Sequence, residues 1–328
     1  MIISRTPFRV SFFGGGTDYP VWYKENKGAV LSTTIDKYCY ITCWHLSPFF
    51  EYTNRIVWSR IETVKDISEI QHPAVRAALQ FMKPKKGVEI HHAGDLPART
   101  GLGSSSSFTV GVLHALYALN RIMPSKMQLA KDAIHIEQNM LKENVGSQDQ
   151  VSVAFGGFNK IEFVGDEDPC LSPVIMNSDK LRELQDHMML FFTGFSRTAS
   201  EIAGEQIKNT PKRANELKAM LQMVDEAINI LKSNDLTEFG KLQHESWQLK
   251  RSLTDKISTP EIDDIYASAR RAGAIGGKLL GAGGGGFFLL FAEPEIQPKI
   301  KAKLDRFLHV PFRFENLGSQ IIFYEPNT

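Results

Sequence analysis

The stretch LPARTGLGSSSSFTV, Leu96 to Val110, decides how this chain is read. Two glycines, Gly101 and Gly103, lead into four consecutive serines, Ser104 to Ser107, and then directly into an apolar run. Phe108, Val112, Leu116 and Leu119 recur at helical spacing, so a helix is expected from Ser105 to about Leu119. A single N-cap needs one hydroxyl, not four. Glycine lets a backbone amide approach a ligand oxygen because no Cβ intervenes. Unpaired amides at a helix start, aided by the helix dipole, bind phosphate. A phosphate loop of the G-x-x-x-x-G-K-S/T type needs a lysine where this segment has serine. Charge neutralisation must then come from a metal or from elsewhere in the chain.

Outward from this loop, 328 residues suit two domains and a large core. A net charge of +1 excludes a non-specific nucleic-acid binder, yet leaves room for clustered cations around one phosphate. Cys39, Cys43 and Cys170 form no metal spacing and no disulfide framework, and the first two fall on one face of the strand-like KYCYITCW as small core residues. No segment reaches the roughly 20 apolar residues of a membrane span, and the N-terminus has no signal-peptide run. A cytoplasmic protein without a membrane or nucleic-acid partner is expected. The first ~60 residues and GVEIHHA alternate like strands. From residue 173 onward strands and helices mix, closing on the strand QIIFYEP. Few helices sit strictly between strands, so the expected class is α+β, with domains 1–172 and 173–328 meeting near the acidic loop GDEDPCLSP.

Two further glycine loops stand out, FFGGGTDYP and GGKLLGAGGGGFF. In the second, Gly281, Gly283 and Gly286 satisfy G-x-G-x-x-G, but a dinucleotide fingerprint must follow a strand and open a helix. Here a helix is read before the loop and a strand after it, which favours a hairpin packed against another loop. Among the acids, Glu137 shares one helical face with Ala130, Ala133, Ile134 and Leu141. A buried carboxylate must be paired or bind a metal. Either a salt bridge or Mg²⁺, with a serine hydroxyl as second ligand, would serve. Asp149 in GSQDQ opens a short helical stretch, where an acid is favourable on dipole grounds alone. Asp18 could be an ordinary turn residue. His91 and His92 lack metal spacing.

Together these pieces resemble the GHMP kinases, the family of galactokinase, homoserine kinase, mevalonate kinase and phosphomevalonate kinase. PARTGLGSSSS is similar to the family's phosphate loop, KLLGAGGGG to its C-terminal glycine motif, and PFRVSFFGGGTDYP to the opening of its sugar-kinase branch. The resemblance implies an N-terminal domain like ribosomal protein S5 domain 2 and a ferredoxin-like C-terminal domain, with the site between them. It implies that Gly101, Leu102, Gly103, Ser104, Ser105, Ser106 and Ser107 hold the phosphates of ATP, and that Ser105 and Glu137 ligate Mg²⁺. Asp149 would be the base or electrostatic partner of the attacking hydroxyl, with Arg9 beside it. Gly15, Gly16, Thr17, Asp18, Gly283 and Gly284 would meet the substrate. The triple-glycine opening, shared with fucokinase-like enzymes, together with FFTGFSRTASEI and GGKLLGAGGGGFFLLF, is similar to heptose-phosphate kinases, and implies an anomeric sugar kinase acting on a heptose 7-phosphate. Arg197 and Lys27 would face the sugar's own phosphate, Lys278 the nucleotide or only solvent, and residues 56–58 the adenine. A silent sugar- and nucleotide-binding homologue, another anomeric sugar kinase such as a fucokinase, and a decarboxylase of the same fold are the rival readings. A homodimer is left open.

Overall fold

The computed structural model describes residues 1–98, 100–194, 199–233 and 235–325. Two antiparallel-dominated sheets carry the molecule. The first is built from β1 (Ile2–Phe13), β2 (Lys27–His45), β3 (Asn54–Val57), β4 (Ile61–Val64), β5 (Val88–Gly94), β6 (Phe158–Val164) and β7 (Cys170–Pro173). The second is built from β8 (Met188–Gly194), β9 (Gly276–Leu279), β10 (Gly286–Phe291) and β11 (Leu308–His309), in the order β11-β8-β10-β9. The chain then returns: β12 (Phe314–Glu315) pairs with β2 and β13 (Gln320–Tyr324) with β1. A boundary at 172/173 would fall within β7, whose Pro173 pairs with Asn159 of β6, and the chain's last strands complete the first sheet.

β2 organises the first sheet. The sequence suggests two strands, AVLSTTI and KYCYITCW, yet the backbone runs through as one strand of 19 residues. Its first half pairs with β6 and its second half with β5, while β1 runs along the other edge. Polar Thr33, Thr34 and Asp36 at the midpoint do not break it. Thr34 is buried, and its hydroxyl is bonded to Glu315 O and Gly157 N. Cys39 and Cys43 are fully buried, as small core residues should be.

The helices are α1 (Pro20–Tyr23), α2 (Pro73–Met82), α3 (Ser104–Leu119), α4 (Lys126–Ile134), α5 (Gln148–Phe155) and α6 (Ser178–Asp186) in the first half. The second half holds α7 (Ala199–Asn209), α8 (Ala214–Lys232), α9 (Thr237–Ser252), α10 (Pro260–Ala272) and α11 (Gln297–Lys303). α3 is apolar nearly all round and is buried accordingly, which fits a helix in the middle of a layer. β10 is buried at every position, and Phe288 packs edge-on to Trp247 of α9 and flat on Tyr266 of α10. α9 lies directly on β9: a Cβ on Gly276 would come within 1.8 Å of Gly240 O. Close helix–strand approach at this point brings the C-terminal turns of α9 beside the glycine-rich loop between β9 and β10.

Candidate active site

The site gathers where the start of α3, the end of β1, the start of α5 and the β9–β10 loop converge. Gly103 caps α3 in the left-handed region, φ +72, with no side-chain cap bond. The first amides of α3 therefore have no intrahelical acceptor. The β9–β10 loop abuts the segment before α3 backbone to backbone. A Cβ on Gly101 (φ +83) would fall 2.4 Å from Leu280 O, and one on Gly281 would fall 2.5 Å from Gly101 Cα. Only glycine permits that approach. The loop is the hairpin that the sequence favours. β9 precedes it rather than α10 directly, because Gly276 and Gly277 conceal a strand, and β10 follows it, so no helix opens there.

Arg9 and Asp149 meet in this corner. The Arg9 guanidinium donates through Nε to Asp149 Oδ1 and through Nη2 to Oδ2, both at 2.7 Å, and through Nη1 to Gly101 O at 2.8 Å. Its own amide donates to Leu102 O. Arg9 is 3% exposed, and the side chain of Asp149 is 24% exposed. One buried cation thus ties β1 to the serine-rich loop while holding the one acid of α5's first turn open to solvent on its far side. Gly103 makes the approach possible: its Cβ would lie 3.3 Å from Asp149 Oδ2.

The four serines divide their work. Ser107 Oγ donates to Pro7 O and Gly103 O, and its amide donates to Gly103 O. The hydroxyl ties α3 to Pro7 of β1 and the amide closes the helix's own first turn on Gly103 O, so neither donor is spare for the phosphate expected there. Leu102 is fully buried and offers its backbone alone. Ser105 is exposed. Ser106 Oγ donates to Glu137 Oε2 at 2.8 Å, whereas Ser105, expected to share Mg²⁺ with Glu137, stands on another face of α3. One residue is a 100° step around a helix, which moves a side chain from one face to another.

Glu137 itself sits in a π-helical turn, His135–Met140, that continues α4. Such turns are rare and cluster at functional sites. Gln150 also donates to Oε2, while Oε1 is buried without a partner. Burial pushes the carboxyl up from 4.5 to about 7, opposed by the nearby Thr109 hydroxyl and by hydrogen bonds from Ser106 and Gln150. No Lys or Arg among the described residues pairs with it, which disfavours the salt-bridge alternative. One carboxylate with an orphaned oxygen beside a hydroxyl suits a hard cation that draws its other ligands from phosphate and water.

Asp18 lies within charge range of Asp149. It is 2% exposed and accepts from the Gly16 amide at 2.8 Å. Burial raises its pKa, the Gly16 amide opposes, and the nearby Asp149 charge adds to the rise. A Cβ on Gly146 would clash with Asp18 Oδ2 at 1.9 Å, so the segment leading to α5 is built around this acid. Gly15 is partly open and faces Gln148. Thr17 is fully buried, its hydroxyl spent on Gly14 O and Ala29 O, which corrects its expected contact with substrate. Gly284 N donates to Ile257 O, so that amide is likewise committed, and Gly283 is backed by Ile257.

Of the remaining expectations, Arg197 lies outside the described residues. Lys27 is half-exposed and paired with Glu162. Lys278 is buried and donates to Phe12 O at 2.9 Å, just before the first glycine loop. Ile56 is buried. Trp58 stands edge-on to His72, which stacks on Phe108 in the second turn of α3. His91 pairs with Glu89, and His92 packs on Phe108. Sequence reasoning missed Gln150, Ser106 as the partner of Glu137, and Lys250, whose ammonium donates to Leu279 O and Gly281 O. The second Gln of GSQDQ, one residue beyond Asp149, was the available signal for Gln150.

Comparison with known proteins places the chain in a family. Residues 71–157 match the GHMP kinases N terminal domain and residues 226–310 the GHMP kinases C terminal domain. The chain is 29% identical over 308 residues to D-glycero-alpha-D-manno-heptose 7-phosphate kinase of Campylobacter jejuni, covering 89% of this chain and 90% of that one. It is 25% identical over 317 residues to the bifunctional fucokinase/GDP-fucose pyrophosphorylase of Arabidopsis thaliana, covering 88% of this chain and 29% of that protein. A solved D-glycero-D-manno-heptose 1-phosphate kinase from Bacteroides thetaiotaomicron superposes with a TM-score of 0.77 at 24% identity, over 98% of each chain. With both family domains matched in order on a fold that brings the phosphate-type loop, the Arg9–Asp149 pair and Glu137 into one corner, the chain belongs to the GHMP kinase family.

Proposed function

We propose that this chain is an ATP- and Mg²⁺-dependent sugar kinase that phosphorylates the anomeric hydroxyl of a heptose 7-phosphate, yielding the 1,7-bisphosphate and ADP. The observation that carries the reading is the Arg9–Asp149 fork held against Gly101 and Gly103 at the mouth of α3. Phosphoryl transfer demands alignment and charge stabilisation more than covalent chemistry. The amides of Gly101, Gly103 and the first turn of α3 would receive the β- and γ-phosphates. The acceptor oxygen attacks the γ-phosphorus, the bond to the β–γ bridging oxygen breaks, and the acceptor's proton passes to Asp149. An anomeric hydroxyl is more acidic than an ordinary alcohol, so a carboxylate suffices as its partner. Arg9 fixes that carboxylate and keeps a positive charge beside the transferring group. Asp18, oriented by the Gly16 amide, and Gly15 would orient the sugar hydroxyls. Glu137 and Ser106 would hold Mg²⁺, which would neutralise phosphate charge.

The heptose assignment is supported by the similarity to the Campylobacter jejuni enzyme across nearly all of both chains. The test is a kinase assay over heptose 7-phosphate, heptose, mannose and fucose, with NMR of the product to locate the new phosphate. A 1,7-bisphosphate as preferred product supports the reading. Preference for fucose or an unphosphorylated sugar replaces it with a fucokinase-like one.

A further inference from the structure

Lys250 on α9 and Lys278 on β9 are 7% and 3% exposed, and neither forms an ion pair with a carboxylate of the described residues. Buried charges are otherwise paired or neutralised by a bound ion. Of their six ammonium N–H donors, three are used: Lys250 to Leu279 O at 2.8 Å and Gly281 O at 2.6 Å, and Lys278 to Phe12 O at 2.9 Å. Phe12 O lies just before the first glycine loop, and Leu279 O and Gly281 O lie at the start of the β9–β10 loop. Arg9 adds a third buried cation, but its fork is taken by Asp149. Asp18 is the acid that both lysines sense, and it is itself held by the Gly16 amide. With both ammonium groups charged, positive charge would exceed negative charge in the interior beneath the loops.

We propose that Lys250 and Lys278 form a buried anion site for a phosphate group. That group is either the phosphoryl in transfer or a phosphate already on the acceptor; the identity of the ligand rests on the kinase reading above. The ammonium groups supply the spare donors, and the bound phosphate supplies the missing counter-charge. Burial lowers Lys278 to about 7 and Lys250 well below its ordinary value, with the other lysine and Arg9 adding to the effect on Lys250. A dianion beside them reverses that penalty, since an opposite charge favours the charged form. An empty site can shed its charge and a filled one holds it, so the cations need no permanent acidic partner.

The test is NMR on protein carrying ¹³C-labelled lysine, at neutral pH, with Lys250→Arg and Lys278→Arg identifying the two Cε resonances. The ligands added in turn are inorganic phosphate, a non-hydrolysable ATP analogue, heptose 7-phosphate and unphosphorylated heptose. The expected result is a saturable shift of both resonances with at least one phosphate-bearing ligand and none with heptose. Response to the ATP analogue alone identifies the transferring group, and response to heptose 7-phosphate alone the acceptor's phosphate. If phosphotransfer is observed while no phosphate ligand moves either resonance, the site is overturned and the kinase reading stands. If inorganic phosphate moves them while no sugar is phosphorylated, the site stands and the kinase reading falls. As an independent measure on folded protein, Lys278→Met and Lys250→Met should each lower kcat/KM at least tenfold; unchanged kcat/KM in both overturns the proposal.

Discussion

Replacing Asp149 with Asn separates chemistry from architecture. The substitution is nearly isosteric and keeps one acceptor for the Arg9 fork, but it turns the other oxygen into an NH₂ group facing a guanidinium N–H. One charge-assisted hydrogen bond of the pair at 2.7 Å is lost, and Arg9 stays buried without its counter-charge. Hydrogen bonds to charged groups contribute about 1.5–3 kcal/mol. The side chain of Asp149 is 24% exposed, so water recovers part of that, and the net cost falls to about 1–2 kcal/mol. Unfolding entropy near 2.1 cal/mol/K per residue gives roughly 0.7 kcal/mol/K for this chain, so Tm should drop by about 1.5–3 °C. Turnover should fall by ~10²-fold or more if Asp149 takes the acceptor's proton, with nucleotide affinity nearly unchanged. Differential scanning fluorimetry, steady-state kinetics and nucleotide titration measure the three quantities on one preparation. A variant that melts lower yet turns over at near-normal rate would show that Asp149 only supports Arg9, and would refute its part in the chemistry.

Other expectations follow from the same geometry. Glu137→Gln should raise the Mg²⁺ concentration needed for half-maximal activity, and an unchanged magnesium titration would favour a purely structural role. The Glu137 carboxyl also has a pH signature. Its folded pKa near 7 lies above the ordinary 4.5, so the native state binds the extra proton, and this group's stabilisation is lost as pH rises from about 4.5 through 7. The effect is on the order of 3 kcal/mol in the metal-free protein, should vanish in Glu137→Gln and should be offset by Mg²⁺ with nucleotide, as thermal melts across that window would reveal. Gly101→Ala places a Cβ 2.4 Å from Leu280 O at φ +83, so it should raise the KM for ATP several-fold and lower Tm, with wild-type values counting against loop-on-loop packing. Asp18→Asn should raise the KM for the sugar more than that for ATP; equal effects on both would deny it a sugar-specific role.

Much of this site was legible in the sequence because its key parts lie on short, punctuated segments. The glycines before α3, Arg9 on β1 and Asp149 at the opening of α5 each declare a backbone constraint or a charge at a helix start. Their convergence was carried by a family resemblance, since nothing in local spacing sets Arg9 beside Asp149 across 140 positions. What remained hidden was rotational and long-range. The choice between Ser105 and Ser106 depends on one residue's turn of α3 and on the π-helical turn that carries Glu137. β9 looked like loop because glycines fill half of Gly276–Leu279, and it becomes a strand only by pairing with β10. Lys250 carries no local mark beside Arg251 in WQLKRS. Its burial follows from the close seating of α9 on β9, which depends on Gly240 and Gly276 meeting across the fold. The return of β12 and β13 to the first sheet left no local mark, since an amphipathic strand does not name its partner.

The central claim is that phosphate is received at the serine-rich start of α3, with Arg9 and Asp149 on one side and Glu137 on the other. A crystal structure with a non-hydrolysable ATP analogue and Mg²⁺ tests it most directly. The account predicts the β- and γ-phosphates against the amides between Gly101 and Ser106, with the metal between them and the Glu137 carboxylate. A nucleotide bound with its triphosphate away from α3, or a metal held without Glu137, would contradict it.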